Sequence, residues 1–168
     1  GFDQGQLLYI SALRTPITQT YPAFKKELEQ REDVVSVTGV LDVLGSKHQG
    51  DNYRFEGMDK SKLFSVVWVN HDFFKTFDLK ITEGRPFDET ITTDDSLALI
   101  VNEALVDQMG WKPGEAIGKP FDYGQYHGEI VGVVEDFNFV SKHKKIEPLV
   151  IQLRSSPAHF NFSLKYVA

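Results

Sequence analysis

Histidine and carboxylate side chains are the groups of this sequence that could bind a metal ion. The sequence has no cysteine and five histidines, at positions 48, 71, 127, 143 and 159. The closest pair of ligand types is His71 and Asp72, but adjacent side chains point in different directions and do not converge on one ion. We therefore expect no metal site and no bound cofactor.

Motifs of the common enzyme classes are incomplete here. The Gly-x-Ser-x-Gly elbow, the Walker phosphate loop, His-Glu-x-x-His and the dinucleotide fingerprint do not occur in the sequence. Glu135 and Asp136 could form an acid/base pair with His127 or His143 if burial raised the pKa of one carboxyl. At the end of a strand such residues more often accept hydrogen bonds from a turn. The sequence thus predicts a protein that is not an enzyme.

Arg85 is the single charge with the most restricted backbone, because it lies between Gly84 and Pro86. A guanidinium held in this way could bind an anion. The alternative that we favour is that its planar fork binds neighbouring carbonyls or a carboxylate such as Asp88 and so fixes the loop.

Composition limits the class of protein. The 168 residues carry a net charge of −6, and the only dense cationic run is at residues 142–145, so nucleic-acid binding is not expected. The longest apolar runs, residues 97–101 and 66–69, are far shorter than the roughly 18 residues of a membrane span. The sequence begins without Met, which suggests a segment of a longer protein.

A β-α-β unit is predicted in the first forty residues. Residues 7–10 and 34–38 read as strands, and Ile17, Tyr21, Phe24 and Leu28 form one helical stripe between them. Because Pro22 disfavours a longer helix, its regular part is expected to begin near Thr20.

Strands and helices alternate irregularly after this unit, which is typical of an α+β fold. Residues 66–69, 98–101, 128–134, 149–153 and 160–166 read as strands, and residues 44–52 and 88–95 as loops. Asn70 and Asn102 are expected to cap helices, and Gly110 to end the second one.

Five segments follow one another along the sequence, namely Asp72–Phe77, Glu83–Phe87, Ile100–Ala104, Ile117–Lys119 and Gly128–Phe137. In this order they resemble the MacB-like periplasmic core domain of FtsX-like ABC transporter permeases. The start, Gly1-Phe2-Asp3, and the segment 146–151 resemble the Bacteroidetes members in particular. The motif positions are Gly84, Arg85 and Phe87, then Asn102 and Glu103, then Gly118 and Lys119, and finally Gly132, Asp136 and Phe137.

This resemblance implies a porter-like sheet subdomain, residues 1–46 and 129–168, with a mixed α/β subdomain inserted at residues 47–128. The second porter-like half is expected to be incomplete, because the family continues with a further helix and strand. We accordingly expect the face of the last strand that carries Phe160, Phe162, Leu164 and Tyr166 to be partly exposed.

The resemblance also implies a function and partners. It predicts a non-catalytic extracytoplasmic domain of an inner-membrane permease that relays ATP-driven conformational change to the export of a substrate. The implied partners are a cytoplasmic ATPase, a second permease copy or a paralogue and, in efflux systems, a periplasmic adaptor and an outer-membrane channel. The alternatives are a docking domain of lipoprotein-release or FtsX type and a periplasmic ligand-binding sensor.

Overall fold

The computed structural model describes residues 7–11, 16–41, 49–139, 145–154 and 161–167, and β-strands dominate it. The strands are β1 (Leu7–Ile10), β2 (Val34–Val40), β3 (Gly50–Phe55), β4 (Lys62–Val69), β5 (Ile81–Gly84), β6 (Ala98–Asn102), β7 (Pro120–Tyr123), β8 (Tyr126–Val134), β9 (Leu149–Leu153) and β10 (Asn161–Tyr166). The α-helices are α1 (Tyr21–Glu29), α2 (Phe73–Thr76), α3 (Asp94–Leu97) and α4 (Glu103–Met109). This content is the mixed, sheet-dominated architecture expected for the α+β class.

Three strands from the two ends of the chain form a small antiparallel sheet. β10 lies in the centre and pairs with β1 on one side and β2 on the other. α1 connects β1 to β2 and packs on one face, where the ring of Tyr21 stacks on Phe162 with centroids 4.5 Å apart. The β-α-β unit predicted in the first forty residues is confirmed, and β10 lies between its two strands.

The apolar face of β10 is not left in water, so that expectation was wrong for the residues described. Phe162 and Leu164 are buried and Tyr166 is partly buried, while Phe160 lies outside the described residues. The reason is the position of α1, which crosses the centre of the sheet and places both Tyr21 and Phe24 against the Phe162 ring.

Six strands close into a ring beside the small sheet. Their order is β4-β3-β7-β8-β6-β9, and a parallel pairing of β9 with β4 completes the circle. Alternate residues of each strand face the interior, as closure of a sheet requires. The interior is filled by side chains that include Tyr53, Phe55, Phe64, Val66, Leu99, Phe121, Ile130 and Val150.

A second apolar cluster packs on the outer side of the ring. Val67 and Ile151, which alternate with the inward Val66 and Val150, belong to it. It is completed by α2 and by the segments that follow β5 and β8, through Phe73, Phe74, Phe77, Phe87, Phe137 and Phe139. The ring therefore has apolar packing on both sides along β4 and β9.

Short elements were missed where the sequence is polar. β3 begins inside the predicted loop 44–52, β7 lies in a segment for which no strand was predicted, and α3 lies inside the predicted surface loop 88–95. In β3 only Tyr53 and Phe55 are buried, so the alternation is too short to recognise. Asn70 does not cap α2, because the cap residue is Asp72 and it makes no side-chain cap bond.

The strand pairing of the ring can be compared with the subdomain boundaries that the resemblance implied. β8 and β9 form hydrogen bonds with β7, β6 and β4, whereas β10 joins the small sheet with β1 and β2. Strands on both sides of residue 129 thus share the ring. The boundaries at residues 46 and 129 stay a prediction.

Candidate functional site

The ten motif positions form two spatial groups around the ring. The first lies where β5 and the segment before β7 meet β8, and contains Gly84, Arg85, Phe87, Gly118, Lys119 and Gly132. The second lies at the start of α4 and contains Asn102, Glu103, Asp136 and Phe137.

Two glycines of the first group allow the backbones of β5 and β8 to approach closely. The Arg85 N–H donates to the Val131 carbonyl at 2.9 Å. A Cβ at Gly84 would overlap that same carbonyl oxygen, and a Cβ at Gly132 would overlap the carbonyl oxygen of Arg85. Gly84 also has a φ of 71°, a conformation that side chains disfavour.

The Arg85 side chain binds Asp94 through two parallel hydrogen bonds. Nη1 donates to Oδ2 at 2.6 Å and Nη2 donates to Oδ1 at 2.8 Å, while Nη1 also reaches the Pro86 carbonyl at 3.1 Å. The partner is therefore Asp94 and not Asp88, which instead donates its backbone N–H to Asp94 Oδ2 at 3.0 Å. The correction follows from α3, which buries Asp94 within a segment predicted to be a surface loop.

Burial and the arginine act on the Asp94 carboxyl in opposite directions. Burial by itself raises the pKa of Asp94, but hydrogen bonds from Arg85 and from the Asp88 backbone, with the Arg85 charge, outweigh it and leave the pKa lowered. The hydrogen bond to Asp94 correspondingly raises the pKa of Arg85. Both groups are ionised at neutral pH, and Asp94 neutralises the charge that an anion would need.

Phe87, Gly118 and Lys119 hold the surrounding segments on the ring. Phe87 packs on Phe74 of α2, with centroids 6.1 Å apart. The Gly118 N–H donates to the Ile130 carbonyl at 2.8 Å, and the Ile130 N–H donates to the Lys119 carbonyl at 3.0 Å.

The Lys119 ammonium forms an ion pair with Glu56 and lies 5.2 Å from the centre of the Trp111 ring. These two contacts tie the segment before β7 to the turn after β3 and to the end of α4. Lys119 thus extends the contacts of the first group across one end of the ring.

Asn102 lies at the centre of the second group and caps α4 as predicted. Its Oδ1 accepts hydrogen bonds from the backbone N–H of Leu105 at 3.1 Å and of Leu149 at 2.8 Å, and its Nδ2 donates to the Glu147 carbonyl at 3.0 Å. One buried amide therefore joins the end of β6, the first turn of α4 and the start of β9.

Glu103 and Asp136 form a reciprocal pair across two segments. The Asp136 Oδ1 accepts a hydrogen bond from the Ala104 N–H at 2.9 Å, and the Asp136 N–H donates to Glu103 Oε2 at 3.3 Å. A carboxylate at this position also interacts favourably with the N-terminal end of the helix. The next residue, Phe137, is buried against Phe73 and Phe139.

The acid/base constellation considered from the sequence is not assembled. His127 Nδ1 lies 2.5 Å from Asp122 Oδ1, on the β7–β8 hairpin. Glu135 accepts a hydrogen bond from a backbone amide, but the donor is the Lys80 N–H at 2.9 Å, 55 positions away, and not the turn that was expected. His143 lies outside the described residues. Within the described ranges, no three His, Asp or Glu side chains come together as metal ligands.

An open cleft adjoins the Arg85–Asp94 pair. It has a volume of about 430 Å³, and its walls include Leu97, His127 and Glu129 in addition to the pair itself. Leu97 is 41% exposed, whereas Ala98 and Val131 are buried. The cleft is thus lined by apolar side chains together with charged groups of both signs.

Comparison with known proteins decides the family. The sequence model of the MacB-like periplasmic core domain matches residues 1–157. The chain belongs to the MacB-like periplasmic core domain family. It is a periplasmic domain of a MacB-type ABC transporter permease, and domains of this kind are generally non-catalytic.

Relatives and solved structures agree with this assignment. The chain is 32% identical over 73 residues, 44% of its length, to the Bacillus subtilis protein named "Uncharacterized ABC transporter permease YvrN", of which the match covers 18%. The periplasmic region of MacB from Actinobacillus actinomycetemcomitans shares the fold at 11% identity and a TM-score of 0.61, with 98% of this chain and 76% of that chain covered. The extracellular domain of the transporter YknZ from Gram-positive bacteria does so at 14% identity and a TM-score of 0.58, with 97% and 83% covered.

Sequence reasoning about this MacB-like domain missed Asp94. A signal was available, because the sequence Thr93-Asp94-Asp95-Ser96 places a cap residue and two acidic residues before the apolar Leu97. Helix α3 begins at Asp94, as that pattern predicts.

Among the described residues, no helix is long and apolar enough to cross a membrane.

Proposed function

We propose that this MacB-type periplasmic domain relays an ATP-driven conformational change of its permease and performs no chemistry itself. The observation that supports the proposal is the way in which the ring and the small sheet are connected. Among the described residues their strands pair at one register only, Val40 opposite Val69, while apolar side chains of both belong to shared clusters. Packed elements that share few main-chain hydrogen bonds can shift against each other by small sliding motions.

The motif residues support the same reading. Arg85, Asn102 and Asp136 each bind the protein's own backbone or carboxylates. Contacts of this kind fix loops and helix ends at the rim of the ring. They supply stiffness, which a relay needs, and they do not converge on a point where a substrate atom could sit.

Partners follow from the family and are part of the proposal. The permease would pass motion from a cytoplasmic ATPase, and a second permease copy or a paralogue would complete the transporter. Export of a substrate through a periplasmic adaptor and an outer-membrane channel is the version we propose. Release of a lipoprotein, or docking of a periplasmic partner as in FtsX-type systems, would use the same fold with a different partner.

The two bodies also suggest how the porter-like description applies. We assign the small sheet β1-β10-β2 with α1 to the porter-like part, since β1, α1 and β2 form a β-α-β unit. The ring, formed largely by residues 50–134, corresponds to the inserted part.

A ligand-binding sensor is the second candidate, because of the cleft beside Arg85 and Asp94. A lining of apolar side chains with a few charged groups is a feature of small-molecule sites. The bidentate salt bridge argues against an anionic ligand there, since Asp94 already neutralises the guanidinium.

The relay can be tested in the full permease reconstituted with its ATPase. Spin labels at Glu27 on α1 and Gln125 on the β7–β8 turn report the distance between small sheet and ring, and dilution with unlabelled permease removes distances between copies. The relay predicts that the distance distribution shifts between the nucleotide-free state and the state bound to a non-hydrolysable ATP analogue. Identical distributions in both states would show that the domain receives no motion from the ATPase.

A further inference from the structure

The cleft of about 430 Å³ runs along the outer side of β8. Val131 belongs to the apolar cluster outside the ring, so the alternate residues His127, Glu129 and Val131 face outwards. These three residues line the cleft together with Leu97 of α3 and Pro120 of β7. The volume lies at the lower end of the range of roughly 300–1,000 Å³ that is typical of small-molecule sites, so the cleft suits a small ligand.

Gly128 allows α3 to approach β8 closely and so shapes the cleft. A Cβ at this position would lie 2.3 Å from the Leu97 carbonyl oxygen and 2.7 Å from the ring of Phe121. A residue without a side chain is therefore required for the end of α3 to pack on this part of the strand. The Leu97 side chain is thereby placed at the cleft, where it is 41% exposed and available for contact with a ligand.

Glu129 has a fixed backbone, because β8 is paired on both sides at this residue. It lies opposite Pro120 of β7 and opposite Ala98 of β6. A side chain that projects from a strand held in this way is positioned more precisely than one on a loop. The exposed Glu129 carboxylate thus has a well-defined place in the cleft.

The charges around the cleft are matched except for one carboxylate. Arg85 is neutralised by Asp94, and His127 Nδ1 lies 2.5 Å from Asp122 Oδ1. Within the part of the chain that the structure describes, the Glu129 side chain forms no hydrogen bond and no ion pair. Its charge acts on Arg85 electrostatically, but Asp94 already occupies that guanidinium. One negative charge is therefore left for a ligand to neutralise.

From these features we infer that the cleft binds a small organic cation, namely a protonated amine with an apolar chain. The ammonium group donates hydrogen bonds to the Glu129 carboxylate, and the apolar chain packs on Leu97 and Val131. A metal ion is a poorer ligand, because no three His, Asp or Glu side chains of the described ranges come together. The site goes beyond the relay and does not depend on it, and it gives the sensor candidate its ligand class.

Hexylamine is a suitable probe, because it combines an apolar chain with an amine that is protonated at neutral pH. It can be titrated at pH 7 into the nitrogen-15-labelled chain of 168 residues and followed by two-dimensional NMR of the backbone amides. We expect saturable shifts of the signals of Leu97, Glu129 and Val131. 1-Hexanol lacks the charge and hexanoate reverses it, so each should bind more weakly by about fivefold or more.

Glu129→Gln keeps the size of the side chain and removes its charge, so it should weaken the binding of hexylamine about fivefold. Glu27→Gln is the matched control, since it removes the same charge from an exposed glutamate on α1, outside the cleft, and should leave the affinity unchanged. Leu97→Ser removes the exposed apolar contact and should weaken binding as well. The amide spectra of the three variants also show whether each one is folded.

The site is refuted if folded Glu129→Gln binds hexylamine as tightly as the parent, or if hexanoate binds as tightly as hexylamine. Shifts that are spread over the whole surface and do not saturate would refute it too. The relay is tested separately. A nucleotide response of the full permease without hexylamine binding would keep the relay and refute the site, and hexylamine binding without a nucleotide response would do the reverse.

Discussion

Arg85 and Asp94 form a bidentate salt bridge in which the two partners differ in burial. The Asp94 side chain is 2% exposed and that of Arg85 is 38% exposed, with donor–acceptor distances of 2.6 and 2.8 Å. The carboxylate also receives the Asp88 backbone N–H. The consequence is asymmetric, because removal of the arginine strands a buried charge whereas removal of the carboxylate leaves a guanidinium that can turn to water.

Arg85→Ala is expected to destabilise the domain by about 1–3 kcal/mol, because the Asp94 carboxylate loses its main partner while it stays buried. Urea unfolding followed by fluorescence measures this change. Arg31→Ala is the control, since Arg31 pairs with Asp33 on the exposed surface and should leave the midpoint unchanged. If Arg85→Ala unfolds at the parental midpoint while transport by the full permease is lost, the arginine has a functional role instead.

Acid should remove the stability that Asp94 contributes. Its folded-state pKa lies below the ordinary aspartate value of 3.8. A lowered pKa contributes stability that is fully present above that ordinary value and is lost as the pH falls through the folded-state pKa. The difference in unfolding free energy between the parent and Asp94→Asn should thus be constant from pH 7 to about pH 5 and shrink below it. A difference that stays constant down to pH 3 would contradict the assigned pKa direction.

Gly84→Ala is expected to be far more harmful than Gly57→Ala. Both glycines have a positive φ, 71° and 86°, so each alanine is strained by about 1–2 kcal/mol. Only at Gly84 would the new methyl group also overlap the Val131 carbonyl oxygen, since nothing lies near a Cβ at Gly57. Thermal unfolding of both variants separates the two effects. Equal losses would mean that β5 does not need the close approach to β8.

Asn102→Ala should cost about 2–4 kcal/mol, because the cap of α4 is lost and the buried Leu149 N–H has no acceptor. Asp136→Ala removes a partly exposed cap of the same helix and should cost about 0.5–2 kcal/mol. Chemical denaturation of both variants gives the ranking. The reverse ranking would show that Asn102 does not join β9 to α4 in solution.

The sequence by itself determined the elements whose signals are local. The stripe of Tyr21, Phe24 and Leu28 defined α1, and runs of apolar residues defined β6, β8 and β9. Asn102 and Gly110 marked the two ends of α4, where the side chain accepts the Leu105 N–H and the glycine has a φ of 70°. Such signals are readable because caps, left-handed turns and alternation depend on residues only a few positions apart.

The resemblance carried the family assignment, which the match over residues 1–157 confirmed. It could not decide the pairing partner of Arg85. Asp88 is nearer in sequence, but the geometry of α3 turns Asp94 towards the guanidinium and buries it.

Only the tertiary structure decided how the strands pair. Closure of the ring by β4 and β9 joins residues 65–69 to residues 149–153, and no local pattern specifies a partner so far along the chain. The burial of Phe162 likewise depends on where α1 crosses the small sheet. The role of Asn70 was misjudged for the same reason: its amide binds Thr38 and Tyr21, which lie 32 and 49 positions away, in addition to the nearby Asp72 N–H.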